Sequence, residues 1–357
     1  MWRALEQLVA MPPAEREALR AEHRRGASPW LTSAKLKLVD GCNLRCFMCD
    51  YWKRDRQGEL TTDEVVAVLR DLAALGCRKV HYTGGELFLR RDAVQLVAEA
   101  SALGMRTNLT TNGTVLDKAR LDALLDVPVR SVTLSVDSPV PAVHDALRGQ
   151  AGAFKRTVKI LDRILARRGR KTRVRLNTVV SRRNLGTLVQ MVPFLRERPV
   201  DGWLLIPVDG PDPLRSPDTG LDAGAIAVYN ARVAPILAES VRVPGFDPWI
   251  YGRTDAELAE SAAGRYARGA YQRGRCHVPW FHVLVGPDGD VYPCCTAHRR
   301  MPPLGNVRQQ PLHHLRRRGL RRALRRQMLV ERMALCHGCD DFLAENRALD
   351  EALGEPT

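Results

Sequence analysis

No run of eighteen or more apolar residues occurs in the 357-residue chain, so no membrane-spanning helix is expected. The first thirty residues, MWRALEQLVAMPPAEREALRAEHRRGASPW, lack the apolar core and small-residue cleavage site of a secretory signal. No solenoid-type repeat and no low-complexity tract is present. The nine cysteines are an odd number, and eight of them fall into two groups with short internal spacings. In a chain that is not exported, such grouping favours metal or cluster ligation over disulfides, and the cytosol is the expected compartment.

The chain is 45% hydrophobic and long enough for a large α/β unit plus an appendage. Lys and Arg number 55 against 40 Asp and Glu, a formal charge of +15 dominated by arginine. That excess attracts polyanions, which suits a phosphorylated or nucleotide-bearing substrate and equally a solvated surface with biased composition.

From residue 34 a strand–helix alternation begins. Strands are expected over 34–40, 78–86, 105–113, 130–138, 173–180 and 202–209, with an amphipathic helix after each of the first five. The helix at 61–76 carries Thr61 or Thr62 as N-cap and Gly76 as its stop. Such alternation favours parallel pairing with right-handed crossovers. Unusual residues stand at the strand ends: cysteines after the first, Gly-Gly-Glu after the second, Thr-Asn-Gly after the third and Ser-x-Asp in the fourth. Functional groups of parallel α/β folds gather at carboxyl ends of strands, so these clusters point at one mouth.

The stretch DGCNLRCFMCDYW places Cys42, Cys46 and Cys49 at C-x3-C-x2-C spacing. A structural zinc site wants four ligands, usually in two pairs. Cys77 or His81 could complete one, but each lies near the far end of the next strand; Cys77 reads as an inert buried thiol. An electron-transfer cluster also needs a fourth cysteine. The simplest account leaves one iron open to something other than protein.

Cys42, Cys46 and Cys49, with Gly84-Gly85-Glu86 and the six strand–helix units, resemble the radical S-adenosylmethionine (SAM) superfamily over roughly residues 34–209. The resemblance implies a partial (β/α)6 TIM-like barrel, a 4Fe–4S cluster whose open iron binds SAM, and one-electron cleavage to a 5′-deoxyadenosyl radical that abstracts hydrogen from a C–H bond. It also implies that Gly84 and Gly85 bring backbone to the SAM methionyl group, that Glu86 adds charge there or supports the turn, and that Ser135 and Asp137 meet the ribose hydroxyls. Asn112 and Asn177 face the same mouth. Met48 stands where family members often carry an aromatic against the adenine, preceded by Phe47, and Leu87 replaces the family's proline.

Cys276, Cys294, Cys295, Cys336 and Cys339, with a hairpin in FHVLVGPDGDVYPCC, resemble the C-terminal SPASM/twitch extension of such enzymes. No cysteine follows Cys339, which matches the shorter twitch form with one auxiliary cluster. Cys276, Cys294, Cys336 and Cys339 make a closed four-thiolate set suited to 4Fe–4S, with Cys295 as the substitute for Cys294. The 17-residue gap between Cys276 and Cys294 argues against a zinc ribbon. His277, His298 and His337 read as surface or hydrogen-bonding residues. The basic segment 311–333 is expected as one helix whose apolar stripe (Leu315, Leu320, Leu324, Met328, Leu329) covers this cluster, with arginines outside. No aromatic platform accompanies the arginines, so nucleic acid receives little weight as a partner.

The expected organisation is an N-terminal helical extension (1–33), the radical SAM partial barrel (34–209), a linker and substrate-side segment (210–275), the small α+β twitch/SPASM-like domain (276–340) and a C-terminal tail (341–357). Trp249, Tyr251, Arg253 and Trp280 are expected on the substrate side. The resemblance implies a small-molecule substrate of sugar, aminocyclitol or nucleoside type, dehydrogenated in secondary metabolism, with peptide maturation or a redox-neutral elimination, epimerisation or decarboxylation as the alternatives, and an electron donor such as flavodoxin or ferredoxin.

Overall fold

A computed structural model of the protein describes residues 10–27, 31–169, 171–208, 220–270, 275–317, 319–339 and 342–353. Six strands run in chain order across one sheet: β1 (Ser33–Val39), β2 (Lys79–Gly84), β3 (Arg106–Thr111), β4 (Val129–Ser135), β5 (Arg173–Val180) and β6 (Gly202–Pro207). Each pairs parallel with the next, as the alternation predicts. The sheet is open, not closed into a barrel.

The crossover helices pack on one face, over Leu36, Leu38, Val80, Tyr82, Leu109, Val132, Leu134 and Leu176, which together with helix residues such as Leu69, Leu96 and Ile164 form the main core. Thr61 caps the helix Thr62–Ala74 in a reciprocal capping box with Glu64. The alternate strand positions face the other way.

Four features were not expected from the sequence. The hairpin β7 (His282–Val285) and β8 (Val291–Tyr292) extends the main sheet. β7 pairs parallel with β1, Ser33 opposite His282, so the sheet has eight strands in the order β6-β5-β4-β3-β2-β1-β7-β8. The segment 341–357 is not a plain tail: Leu343–Leu353 is a helix whose Leu349 and Leu353 are buried in a second core with Cys276, Trp280, Met328 and Cys336. The basic segment forms two helices, Leu312–Arg317 and Gly319–Val330. Arg325 lies inside rather than outside, donating to the carbonyls of Pro279 and Gly26 at 3.0 Å each. The N-terminal extension contributes the helix Pro13–Arg24, whose buried His23 stacks on Trp280 at 4.3 Å.

Candidate active site

The loop after β1 is held from three sides. On the β2 side, Gly85 N–H donates to the Val39 carbonyl at 2.8 Å and Glu86 N–H to the Gly41 carbonyl at 3.0 Å. A Cβ at Gly85 would sit 2.0 Å from the Gly41 oxygen, and one at Gly84 (φ +143°) would sit 2.5 Å from the Val39 oxygen. These glycines are therefore required by the approach of β2 to the root of the cysteine loop.

Glu86 supports the turn and does not present its charge to the mouth. It is fully buried; Oε1 accepts from Phe88 N–H (3.0 Å) and the Thr111 hydroxyl (2.6 Å), and Oε2 from Asn112 N–H (2.7 Å). Burial raises its pKa, against the pull of those donors. On the β3 side, the Asn112 amide donates to Asn43 Oδ1 at 3.0 Å and approaches Cys42 Sγ at 3.8 Å. Asn112 is thus a strut between the third strand and the cysteine loop.

On the β4 side lies a helix that the sequence reading missed, Pro141–Arg148. Its signals were present: proline in the first turn and a left-handed Gly149 (φ +63°) at the end. The loop's Arg45 and Phe47 N–H groups donate to the Arg148 and Leu147 carbonyls. A Cβ at Gly149 would meet the Arg45 oxygen at 2.3 Å. Arg148 is buried and points its guanidinium at Cys46 Sγ (3.9 Å) while Nε pairs with Asp137 Oδ2 at 2.8 Å. Burial works against the Arg148 charge, but Asp137 and Cys46 outweigh it and raise its pKa.

Asp137 is engaged by the protein itself. The side chain is fully buried, with Oδ1 accepting from Val179 N–H at 3.0 Å and Oδ2 engaged by Arg148. Ser135 and Asn177 behave differently. They are paired neighbours, Ser135 at the end of β4 and Asn177 within β5, both half-buried and on the sheet face opposite the core residues Leu134 and Leu176. Met48 is buried with Leu44 and Cys46, and Phe47 lies against that apolar group under the Arg183 guanidinium.

The second cysteine group closes on one apolar cavity. Cys276, Cys294, Cys295, Cys336 and Cys339 line it with Val278, Met328, Met333 and Phe342. Burial pushes the Cys294 thiol well up, and Cys276, Cys295 and Cys339 add to the shift, so Cys294 sits among the others. Cys295 Sγ instead approaches His282 Nε2 at 3.8 Å. His277 is a buried hydrogen-bonding residue between His23 and Asp350, and His298 bonds Lys37 at 3.1 Å. Tyr251 is buried in the main core and Trp280 in the second. Residues 209–219 and 271–274 of the expected substrate segment lie outside the described residues.

Three cysteines on one loop and five around one cavity are the ligand type that iron–sulfur groups take. Burial pushes Cys42 up to about 12 and raises Cys46, so their thiolates need a positive centre among them.

Comparison with known proteins agrees with this geometry. Residues 36–214 match the radical SAM superfamily, and residues 276–340 match an iron–sulfur cluster-binding domain of the SPASM type. An AdoMet-dependent heme synthase of Methanosarcina barkeri is 31% identical over 45% of this chain and 46% of its own. A PqqA peptide cyclase of Rhodopseudomonas palustris is 35% identical over 44% of this chain and 41% of its own. The chain thus spans less than half the length of these two relatives. In fold it is similar to SuiB of Streptococcus suis bound to S-adenosylmethionine, at TM-score 0.68 and 15% identity over 91% of this chain and 76% of that one. With a 4Fe–4S cluster, an auxiliary cluster and SAM as the cofactors these domains carry, the chain belongs to the radical SAM superfamily.

Proposed function

We propose that the protein oxidises its substrate by two electrons, one carried away with an abstracted hydrogen atom and one accepted at the second cysteine group. When bound, the first cluster and SAM supply hydrogen-atom abstraction and the auxiliary cluster supplies electron acceptance. Cys42, Cys46 and Cys49 hold the first cluster, and Cys276, Cys294, Cys336 and Cys339 the second. Gly84, Gly85, Glu86, Asn112 and Asp137 shape the SAM pocket from behind, while Ser135, Asn177 and Met48 face it. Asn112 and Arg148 aim N–H groups at Cys42 and Cys46, where positive partners favour thiolate over thiol. Leu44, Met48 and Phe47 exclude water from the same loop.

The observation that carries the oxidative reading is the closed second set. Five thiols line one apolar cavity, and any four of them would close a cluster's coordination and leave no position for substrate, which suits an electron acceptor. In balance, the substrate gives one hydrogen atom to the SAM-derived fragment, one electron to the second cluster and one proton to solvent. A reduced flavodoxin or ferredoxin would supply the electron for SAM cleavage, and an oxidised carrier of the same class would take up the electron left at the second cluster.

The substrate is a polar metabolite of sugar, aminocyclitol or nucleoside type. A peptide substrate is the second reading, favoured by the identity with a PqqA peptide cyclase. Cys336→Ala with Cys339→Ala tests the oxidation: 5′-deoxyadenosine should still form while product two hydrogens lighter disappears. Wild-type product that is an isomer or redox-neutral fragment overturns it. Deuterium transfer into 5′-deoxyadenosine from labelled metabolites or peptides decides between the substrates.

A further inference from the structure

The segment that carries Cys294 and Cys295 returns to the root of the first cysteine loop. Arg299 holds a left-handed backbone (φ +60°), a conformation that residues other than glycine seldom adopt. From there its guanidinium pairs with Asp40, just before Cys42, and Asp40 also accepts from Arg54 at 3.5 Å. The preceding residue, His298, is buried, and its Nδ1 accepts from the Lys37 ammonium at 3.1 Å. Lys37, near the end of β1, also stands 5.5 Å from the ring centre of Tyr51, which follows closely on Cys49. One ammonium is thus held between a residue of each cysteine segment.

Lys37 lacks an ordinary counter-ion. Among the described residues no carboxylate pairs with it, and Asp40 is taken by Arg54 and Arg299. Its acceptor is a neutral imidazole, because burial and then Lys37 itself hold His298 down at about 2. Loss of water around the ammonium pulls Lys37 down to about 8. Cys295 opposes that shift most strongly and Cys49 also opposes it, against Lys35 and Arg54. At pH 7 the side chain therefore still carries its charge. A partly desolvated ammonium without a carboxylate costs free energy unless other anionic charge is in reach. For Lys37 the groups that favour its charge are cysteines of both sets.

We propose that Lys37 is a positive charge shared by the two redox sites, held by His298 and Tyr51 where it favours arrival of an electron at the second cysteine group. This deepens the proposed function by naming a residue that sets the acceptor's potential, and it rests on that group holding an iron–sulfur cluster. Reduction adds negative charge to a cluster, so a nearby cation makes reduction easier. The electron is the one that the substrate radical gives up, and Lys37 exchanges no proton and forms no bond in the step.

An EPR-monitored redox titration of the reconstituted holoprotein at pH 7 and low salt tests it. Added SAM marks the first cluster's signal, and the signal it leaves unchanged is the second's. Lys37→Met keeps most of the volume and removes the charge. It should lower the reduced-to-oxidised ratio of the second cluster at least tenfold at fixed potential, a shift of about 59 mV. Lys37→Gln should do the same and stands in if the methionine variant fails to load iron. Lys37→Arg keeps the charge and should stay within threefold of wild type, as should Lys35→Met on the same strand. An unchanged second potential in the loaded Lys37→Met or Lys37→Gln protein, a full shift in Lys37→Arg, or an equal shift in Lys35→Met overturns the proposal. Absence of any second signal in wild type overturns it together with the proposed function. Because no product is measured, the shift is read independently of whether the reaction proves oxidative.

Discussion

Replacing Glu86 removes the acceptor that ties β3 to the Gly-Gly turn. In Glu86→Ala the Phe88 and Asn112 N–H groups stay buried without partners, and the Thr111 hydroxyl loses its acceptor. A buried donor left unsatisfied costs roughly 1–3 kcal/mol, so two backbone donors give about 4 kcal/mol. Glu86→Gln keeps one oxygen; its amide must then face at least one N–H, a loss of about 2 kcal/mol. Urea unfolding of the apo-protein, followed by circular dichroism, should rank wild type above Gln above Ala. Both variants should retain iron but bind SAM less tightly, because Asn112 loses its fixed position beside Cys42. The pH dependence has a definite sign. Glu86 has a raised pKa, so the folded state holds its proton more tightly than the unfolded chain. Its contribution to stability is present at low pH and is lost as pH rises through the raised value; Glu86→Gln removes that slope. Stabilities of both variants within about 0.5 kcal/mol of wild type would refute the strut role.

Asp137→Asn leaves Arg148 buried without its counter-charge and should cost about 3–5 kcal/mol; Asp137→Asn with Arg148→Met should recover much of this, as a double-mutant cycle will measure. Gly85→Ala drives a methyl group into the Gly41 carbonyl, backbone against backbone, and should abolish incorporation of the first cluster while leaving iron at the second; an iron content equal to wild type contradicts that. The paired Cys336→Ala and Cys339→Ala change should separate SAM cleavage from product formation, read by chromatography of 5′-deoxyadenosine and mass of product.

The barrel-like half was legible because each strand–helix unit states itself locally, in apolar periodicity and turn residues. The cysteine loop was legible because its spacing is itself the chemistry. What escaped the sequence depends on contacts between distant segments. Nothing local tells that Asp137 turns inward, since its partner Arg148 lies on a helix whose Pro141 and Gly149 signals went unread. The roles of Gly84 and Gly85 depend on a loop some forty residues earlier. β7 has four residues, too few to declare the edge it joins. The helix Leu343–Leu353 did carry a signal, Leu349 and Leu353 at i, i+4, beneath its acidic composition.

Anaerobic reconstitution with Cys42, Cys46 and Cys49 all changed to Ala tests the central claim most directly. Wild type should hold about eight irons, as two 4Fe–4S clusters, and cleave SAM. The triple variant should hold about four and yield no 5′-deoxyadenosine. Stoichiometric zinc without iron–sulfur absorption in the wild type, or continued SAM cleavage by the triple variant, would contradict it.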